Sequence, residues 1–235
     1  MIARSLFRRS ENEWISISDL MACLMMIFLF IAISYMNSLQ IRAKQIKEIA
    51  VAYQELQEDL YTDLYNEFKD DLSRWKAEID KETLTIRFLE PSVLFKVNSD
   101  TVTSRFQDIL IEFFPRYILI LNSPKYMDSI DEIRIEGHTS SEWTRQVDAE
   151  LAYFLNMKLS QDRTRSVLEY CLGLIGDPSL KTWTRKYLTT NGLSSSHLVL
   201  VDGIENRELS RRVEFRTKTA AEKKVVEIIE KMRNE

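Results

Sequence analysis

The chain has 235 residues, enough for one domain of ordinary size with additional segments. Its net charge of −4 leaves no basic surplus to neutralise phosphates, which argues against nucleic acid as a partner. The two cysteines, Cys23 and Cys171, lie far apart in unlike stretches, so neither a disulfide framework nor a metal site is expected.

Residues 1–13 are a short polar tail, and residues 14–36 read WISISDLMACLMMIFLFIAISYM. At about 1.5 Å per residue, this stretch predicts a helix of roughly 33 Å, enough to cross a bilayer. It is longer than the apolar region of a signal peptide, so we expect it to stay as an anchor. Three basic residues precede it and three follow (Arg4, Arg8 and Arg9; Arg42, Lys44 and Lys47), so charge bias does not set the orientation.

Asp19 interrupts this apolar stretch. A carboxylate at membrane depth costs roughly 2.5–3.5 kcal/mol, and such residues usually face a partner helix or a wet cavity, where they carry ions or protons. The alternative is that Asp19, about a turn inside Trp14, reaches the headgroups.

Residues 37–80 predict a helical stalk. Its apolar residues recur at spacings of three and four, first as a heptad seam and later as a run of fours: Ile46, Ile49, Tyr53, Leu56, Leu60, Leu64, Phe68, Leu72, Trp75 and Ile79. From Ile46 to Leu60 the pattern favours pairing with a second copy of the chain. Beyond Leu64, pairing and packing on the chain's own domain are both open.

From Lys81 the pattern alternates between strands and helices. We predict a strand over 83–88 that ends at Glu90-Pro91, a helix over 106–121 broken or kinked at Pro115, and a strand over 130–136. A helix follows over 151–174, with a break near Asn156 and a new start at Ser160. The remaining predicted elements are a short helix over 181–188, strands over 197–201 and 212–217, and a charged helix over 220–233.

The start of the membrane helix, with Trp14, Asp19, Leu20 and Met21, resembles the B subunits of ion-driven stators, the MotB family. The resemblance implies that Asp19 binds and releases the permeating ion. A proton is our first choice and sodium the alternative, and no cofactor is expected.

A second resemblance covers roughly residues 82–218 and is to the OmpA-like peptidoglycan-binding fold. It is carried by Gly137-His138-Thr139, by NMKLSQDRTRSV from Asn156, and by ENRELSRRVEF from Glu205. It implies an α/β or α+β domain with one small mixed sheet. It also implies that a free carboxylate of the peptide stem is bound by Thr139, Ser140, Asn156, Leu159, Arg163 and Arg212. Arg163 would pair with the carboxylate through its guanidinium fork.

Ser140 departs from this pattern, because the family usually has an aspartate there for the ligand's ammonium group. Glu142 or Asp148 are the candidates to compensate. Three more conservative interpretations stand beside the ligand roles: Arg163 as a surface residue, His138 as a turn residue, and one of Arg211 and Arg212 as a partner of the fold's own acidic residues.

Together the resemblances imply a cytoplasmic tail (1–13), one inner-membrane helix (14–36), a helical stalk that dimerises (37–80), a periplasmic OmpA-like domain (81–218) and a C-terminal helix (219–235). They also imply a ring of MotA-like (ZorA-like) membrane subunits around a homodimer anchored to peptidoglycan. The continuous stalk and the WISxxDLM start are most similar to the B subunits of Zorya anti-phage defence systems.

The alternatives are a flagellar MotB-type subunit and a passive membrane-tethered wall-binding protein. An enzyme is not expected, because the sequence shows no nucleophile with a neighbouring base, no phosphate-binding loop and no metal cluster.

Overall fold

The computed structural model describes residues 2–89, 91–96, 99–143 and 147–220. The predicted C-terminal helix over 220–233 lies outside the described residues from residue 221 onward, and so does Glu90. The chain divides into two compact units, one reaching Ala52 and the other beginning at Tyr53.

The first unit is helical. Within the described part of the chain, it consists of the first part of helix α1, which spans Ile2–Trp75. The apolar side chains described between Trp14 and Met36 are exposed, as expected for a surface that faces lipid. Between Ile17 and Trp75, α1 contains a window with a mean hydropathy of 2.3, long and apolar enough to cross a membrane, and none of that window is buried. The predicted helix over residues 14–36 is therefore confirmed as a helix.

The second unit combines the end of α1 with a sheet and further helices. In chain order these are β1 (Ala77–Asp80), β2 (Thr85–Phe88), α2 (Pro91–Leu94), α3 (Ser104–Leu121), β3 (Ile130–His138), α4 (Ala149–Gly173), α5 (Pro178–Tyr187), β4 (Leu188–Gly192), β5 (Leu200–Val201), β6 (Ile204–Glu205), α6 (Arg207–Ser210) and β7 (Arg212–Thr219).

The main sheet has the strand order β1-β2-β7-β3-β4. Strands β3 and β4 are parallel and the other neighbours are antiparallel, so the sheet is mixed. This confirms the predicted fold class, an α/β or α+β domain with one small mixed sheet. Strand β4 was not predicted, and the strand predicted over 197–201 shrinks to β5, which pairs only with β6.

The end of α1 packs into the core of the second unit. Leu60, Leu64 and Phe68 are fully buried, and the Phe68 ring lies 5.2 Å from that of Phe113 in α3. The prediction that the seam pairs with another copy is therefore wrong at Leu60. Beyond Leu64 the alternative, packing on the chain's own domain, is confirmed. An apolar stripe on a helix indicates that this face packs against something apolar, but not whether the partner is another copy or the chain's own domain. The residues spaced by four pack within the chain.

Helix α1 also ends earlier than the stripe suggested. Its last residue is Trp75, and Lys76 adopts a φ of 51°, which reverses the chain into β1. Residues 77–80, predicted as part of the stalk helix, form this edge strand instead and pair with β2.

Helix α3 is continuous through Pro115, so of the predicted break or kink, the break is wrong. Proline removes the hydrogen bond to the carbonyl of Ile111, and the Ile111 side chain is exposed. The opposite face buries Phe113, Phe114, Tyr117 and Ile118 on both sides of the proline, and this packing holds the helix together.

Helix α4 is also continuous, and the predicted break at Asn156 and restart at Ser160 are wrong. The N-cap is Asp148, whose carboxylate accepts a hydrogen bond from the Leu151 N–H at 2.7 Å. Asn156 and Ser160 are buried polar residues with partners outside the helix. The Asn156 amide donates to the Ser140 carbonyl at 3.2 Å, and the Ser160 hydroxyl accepts from the Ser194 N–H at 3.1 Å.

Two glycines let α4 lie directly on the sheet. Gly137 of β3 and Gly192 of β4 are register partners. A Cβ at Gly137 would lie 2.6 Å from Thr164 Cγ2, and one at Gly192 would lie 2.3 Å from the backbone nitrogen of Gln161. The middle of α4 is thereby held against the ends of β3 and β4, next to the site described below.

Candidate functional site

A cleft opens where the end of β3, the start of β7 and α4 meet. Its cavity volume is about 20 Å³, and it is lined by Leu94, Phe95, Gly137, His138, Ser160, Arg163, Arg211, Arg212 and Val213. Three arginines therefore line it, and no carboxylate residue is among its described lining residues.

Arg163 is half-buried and shapes one wall of the cleft. Its Nε donates to the Ser99 carbonyl at 2.9 Å and its Nη2 to the Lys96 carbonyl at 3.2 Å, and the guanidinium carbon lies 4.8 Å from the centre of the Phe95 ring. Burial, and then the charge of nearby Arg211, lower the pKa of Arg163 to about 10, and the opposite charge of Asp100 offsets only part of this lowering. The residue is thus not a simple surface residue; it is a cation held in place beside a second cation.

This pair of guanidinium groups makes the cleft electropositive. Two like charges close together in a partly desolvated site repel each other, and a bound anion relieves the repulsion. A carboxylate suits the planar donor geometry of arginine.

Arg212 plays a different role. Its Nε donates to Glu214 Oε1 at 2.6 Å, and its Nη1 donates to the carbonyls of His197 and Ser210, both at 3.2 Å. The side chain is buried among these acceptors. It matches the alternative in which one arginine of the pair is a partner of the fold's own acidic residues.

The other residues predicted to bind the peptide stem are absent from the described lining of the cleft. Thr139 and Ser140 are buried in the segment that follows β3, and Leu159 is half-buried on α4. The Asn156 amide donates to the carbonyls of Ser140 and Glu142, at 3.2 and 3.3 Å. Asn156 therefore fixes the path of this segment.

Neither predicted substitute for the missing aspartate stands free. Glu142 forms an ion pair with Arg207 at 2.9 Å, and Asp148 caps α4. A third carboxylate, Glu205 of β6, accepts from the Ser141 N–H at 2.9 Å and from its hydroxyl at 2.5 Å. The segment after β3 is thereby tied to residues 205–207.

His138 is not the predicted turn residue; it is the last residue of β3 and is buried. Its Nε2 lies 3.7 Å from Glu214 Oε2 and 4.0 Å from Glu136 Oε2. Burial would raise the pKa of Glu214, but nearby His138 and Arg212 outweigh it and lower the pKa to about 2. The Glu214 carboxylate is therefore ionised. These three side chains converge from two strands that are far apart in sequence.

Asp19 lies in the apolar part of α1, and its side chain is exposed. Its neighbours one turn further on are Ala22 and Cys23. Small side chains beside a polar one allow another helix to approach closely.

Two features of the site were missed by sequence reasoning. Arg211 was not among the predicted ligand residues, because sequence reasoning placed Arg212 in the ligand set and left open which of the two arginines pairs with the fold's acidic residues. In the structure both arginines line the cleft. Phe95 lies outside the sequence motifs on which the resemblance rests. The signal available for the acidic cluster was the alternation of charged residues in IDEIRIEGH and RRVEF, which places them on one sheet face.

Comparison with known proteins gives one strong relative. No family model matches the chain. The Zorya protein ZorB from Escherichia coli is 46% identical over 222 residues, which cover 94% of this chain and 94% of that protein.

Similar solved structures are more distant. A MotB-like protein from Desulfovibrio vulgaris is 21% identical, with 71% of this chain and 95% of that chain covered and a TM-score of 0.49. The cell wall anchor of the type VI secretion system from Pseudomonas aeruginosa is 20% identical, with 66% and 96% covered and a TM-score of 0.46. The assignment rests on the sequence relative: the chain belongs to the family of the Zorya protein ZorB.

Proposed function

We propose that the chain is the B subunit of an ion-driven inner-membrane motor that is anchored to peptidoglycan and serves in Zorya anti-phage defence. The observation that carries the proposal is Asp19, an exposed carboxylate in an apolar, unburied helix of a chain 46% identical to ZorB. A passive tether has no use for that carboxylate, whose cost in a membrane is several kcal/mol. The motor is not an enzyme in this proposal.

Asp19 accepts a proton from the outer side of the membrane and releases it on the inner side. Protonation removes the charge and with it the need for a polar partner, so each cycle changes the packing of α1 against surrounding helices. Those helices belong to a ring of MotA-like (ZorA-like) subunits. The exposed seam residue Ile46 of the first unit favours a homodimer whose α1 helices pair there. The N-terminus is then cytoplasmic and the second unit periplasmic.

The test compares the wild type with Asp19→Asn, co-expressed with the adjacent membrane-protein gene, in a phage-plating assay and a motility assay. Asparagine keeps the size and hydrogen bonding of aspartate but cannot cycle a proton. Ser18→Asn is the matched control, because it places the same side chain one residue away on another face of the helix. We expect Asp19→Asn to abolish protection from phage while the complex still assembles, and Ser18→Asn to retain protection.

Two outcomes would contradict this. Unchanged protection with Asp19→Asn would favour the passive anchor, and loss of motility instead of protection would favour the flagellar alternative. The identity of the permeating ion is tested by measuring phage protection in medium in which another cation replaces sodium. Protection that depends on sodium would contradict the choice of a proton.

The electropositive cleft is the proposed wall-binding site, with Arg163 and Arg211 binding a free carboxylate of the peptide stem. Arg211 is the cleaner probe, since Arg163 also supports residues 96–99. We expect Arg211→Gln to reduce co-sedimentation of the detergent-solubilised chain with peptidoglycan sacculi about tenfold or more, the loss typical of a charge-assisted hydrogen bond of 1.5–3 kcal/mol. Arg165→Gln is the control. Arg165 lies at an exposed position of α4, the helix that carries Arg163, and this variant should bind sacculi like wild type. Equal binding by wild type and Arg211→Gln would remove this cleft from wall anchoring.

A further inference from the structure

We propose that Glu136, His138 and Glu214 form a binding site for a divalent transition-metal ion, with zinc the best fit. All three are buried, and their ligand atoms lie within 4.8 Å of one another. The site is separate from ion carriage by Asp19, and its test does not depend on the motor.

The sheet places the three side chains on one face. Glu136 and His138 are two residues apart on β3, and Glu136 is the register partner of Glu214 on β7. Residues two apart on a strand, and directly opposed on neighbouring antiparallel strands, project from the same side. The ligand set is therefore built on two paired strands in the middle of a sheet rather than on a loop.

The distances suit a tetrahedral ion. Zinc binds histidine nitrogen and carboxylate oxygen at about 2.0–2.2 Å, so the ligand atoms of a tetrahedral site lie about 3.3–3.6 Å apart. The His138 Nε2 lies 3.7 Å from Glu214 Oε2 and 4.0 Å from Glu136 Oε2. These separations are too long for hydrogen bonds, and small side-chain rotations bring them to coordination distance.

His138 itself points to a ligand. Its side chain is 3% exposed, and neither ring nitrogen has a hydrogen-bond partner among the residues that the structure describes. Buried polar groups nearly always have hydrogen-bond partners, and His138 faces two carboxylates at ion-pair distance without a hydrogen bond to either, which needs an explanation. A metal ion between the three side chains supplies one.

The surrounding charges leave the ligand atoms available. Arg212 Nε and Arg87 Nε both lie on Glu214 Oε1, at 2.6 and 2.9 Å, which orients the carboxylate and leaves Oε2 towards His138. Arg134 lies 2.7 Å from Glu132 but 3.9 Å from Glu136, so its guanidinium group does not hydrogen-bond the Glu136 carboxylate. His138 also lines the cleft, so one edge of the site lies at the cleft surface.

The test uses the full chain in detergent, produced without a polyhistidine tag and stripped with a chelator. Zinc affinity is measured by competition with a chromophoric chelator, for wild type, His138→Gln and His197→Gln. The chain has two histidines, and the ring of the exposed His197 lies 6.0 Å from that of His138, so His197→Gln is a matched control. We expect one zinc ion per chain for wild type and His197→Gln, and binding weakened at least about tenfold in His138→Gln.

Less than half an equivalent of zinc on wild type would overturn the proposal, as would equal affinity in His138→Gln. If circular dichroism shows that His138→Gln does not fold, Glu136→Gln takes its place, with the same tenfold loss expected and unchanged binding counting against the site. Cobalt provides an independent readout. An intense visible absorption from tetrahedral cobalt is expected in wild type, and the weak spectrum of octahedral cobalt would contradict the proposed coordination.

Discussion

Gly192 on β4 approaches Gln161 on α4 so closely that a methyl group at residue 192 would lie 2.3 Å from the Gln161 backbone nitrogen. Its register partner Gly137 makes a similar approach to Thr164. The helix that supplies Arg163 is thus placed on the sheet by the absence of two side chains.

We predict that Gly192→Ala destabilises the second unit by about 1–3 kcal/mol or more, because the clash is with backbone atoms that cannot rotate away. Gly173→Ala is the control, because Gly173 is the last residue of α4 and no atom lies within 4 Å of the new Cβ. This variant should be as stable as wild type or slightly more stable. Denaturant unfolding of the full chain, followed by near-UV circular dichroism, measures both. Equal stability of the two variants would contradict the close approach of α4 and β4.

The two parts of the stalk should respond differently to truncation. Leu64 is fully buried in the core, so Leu64→Ala should cost about 2–5 kcal/mol of unfolding free energy. Ile46 is 41% exposed, so Ile46→Ala should leave the unfolding of the second unit unchanged. If copies pair along this part of α1, Ile46→Ala should instead weaken dimers seen by analytical ultracentrifugation. No change in self-association would count against that pairing.

The buried hydrogen bond between Tyr117 and Thr217 joins α3 to the central strand. The two hydroxyl oxygens are 2.6 Å apart, and burial raises the pKa of Tyr117 well above its ordinary value. Tyr117→Phe leaves the Thr217 hydroxyl without this partner, and we expect a loss of about 1–2 kcal/mol in thermal or denaturant unfolding. Tyr65→Phe, at an exposed position of α1, should change stability by less than about 0.5 kcal/mol. A Tyr117→Phe variant as stable as wild type would show that this bond adds nothing net.

Stability should fall in acid partly through Asp71. Hydrogen bonds from Arg116 at 2.8 Å and Arg74 at 2.6 Å lower the pKa of its carboxyl group. A lowered folded-state pKa means that the stabilisation is present above the unfolded-state pKa, near 4, and is lost as the pH falls below it. The contribution of such a partly exposed pair is under about 1 kcal/mol.

The measurement for Asp71 is the unfolding midpoint of the full chain at pH 7 and at pH 3. Asp71→Asn should be less stable than wild type at neutral pH, and the difference should shrink at pH 3. Asp70→Asn, one residue away at an exposed position, should differ little from wild type at either pH. A difference between Asp71→Asn and wild type that is the same at both pH values would exclude the ionised carboxylate as its source.

Much of the fold could be predicted because its signals are local. The apolar stretch around Asp19 and the alternation in β3 and β7 each follow from residues near in sequence. The errors came where tertiary packing outweighs local preference: Pro115 stays inside α3 because the buried aromatic face supports it, and Asn156 stays inside α4 because it has partners on another segment.

The site was less predictable because it joins distant segments. Arg163 came from a motif, but its neighbours Arg211 and Phe95 meet it only through the sheet order. The convergence of Glu214 with His138 likewise depends on β7 lying beside β3, which no spacing in the sequence reveals.

The place of β7 in the sheet has a consequence for how the chain is made. It is the last described strand in sequence, yet it lies between β2 and β3. Until Arg212–Thr219 has emerged, the strands made before it cannot join into one sheet, and their edges stay open. A product truncated before β7 therefore cannot form the complete five-stranded sheet, and its exposed strand edges leave it open to proteolysis. Only chains synthesised through residue 219 should accumulate.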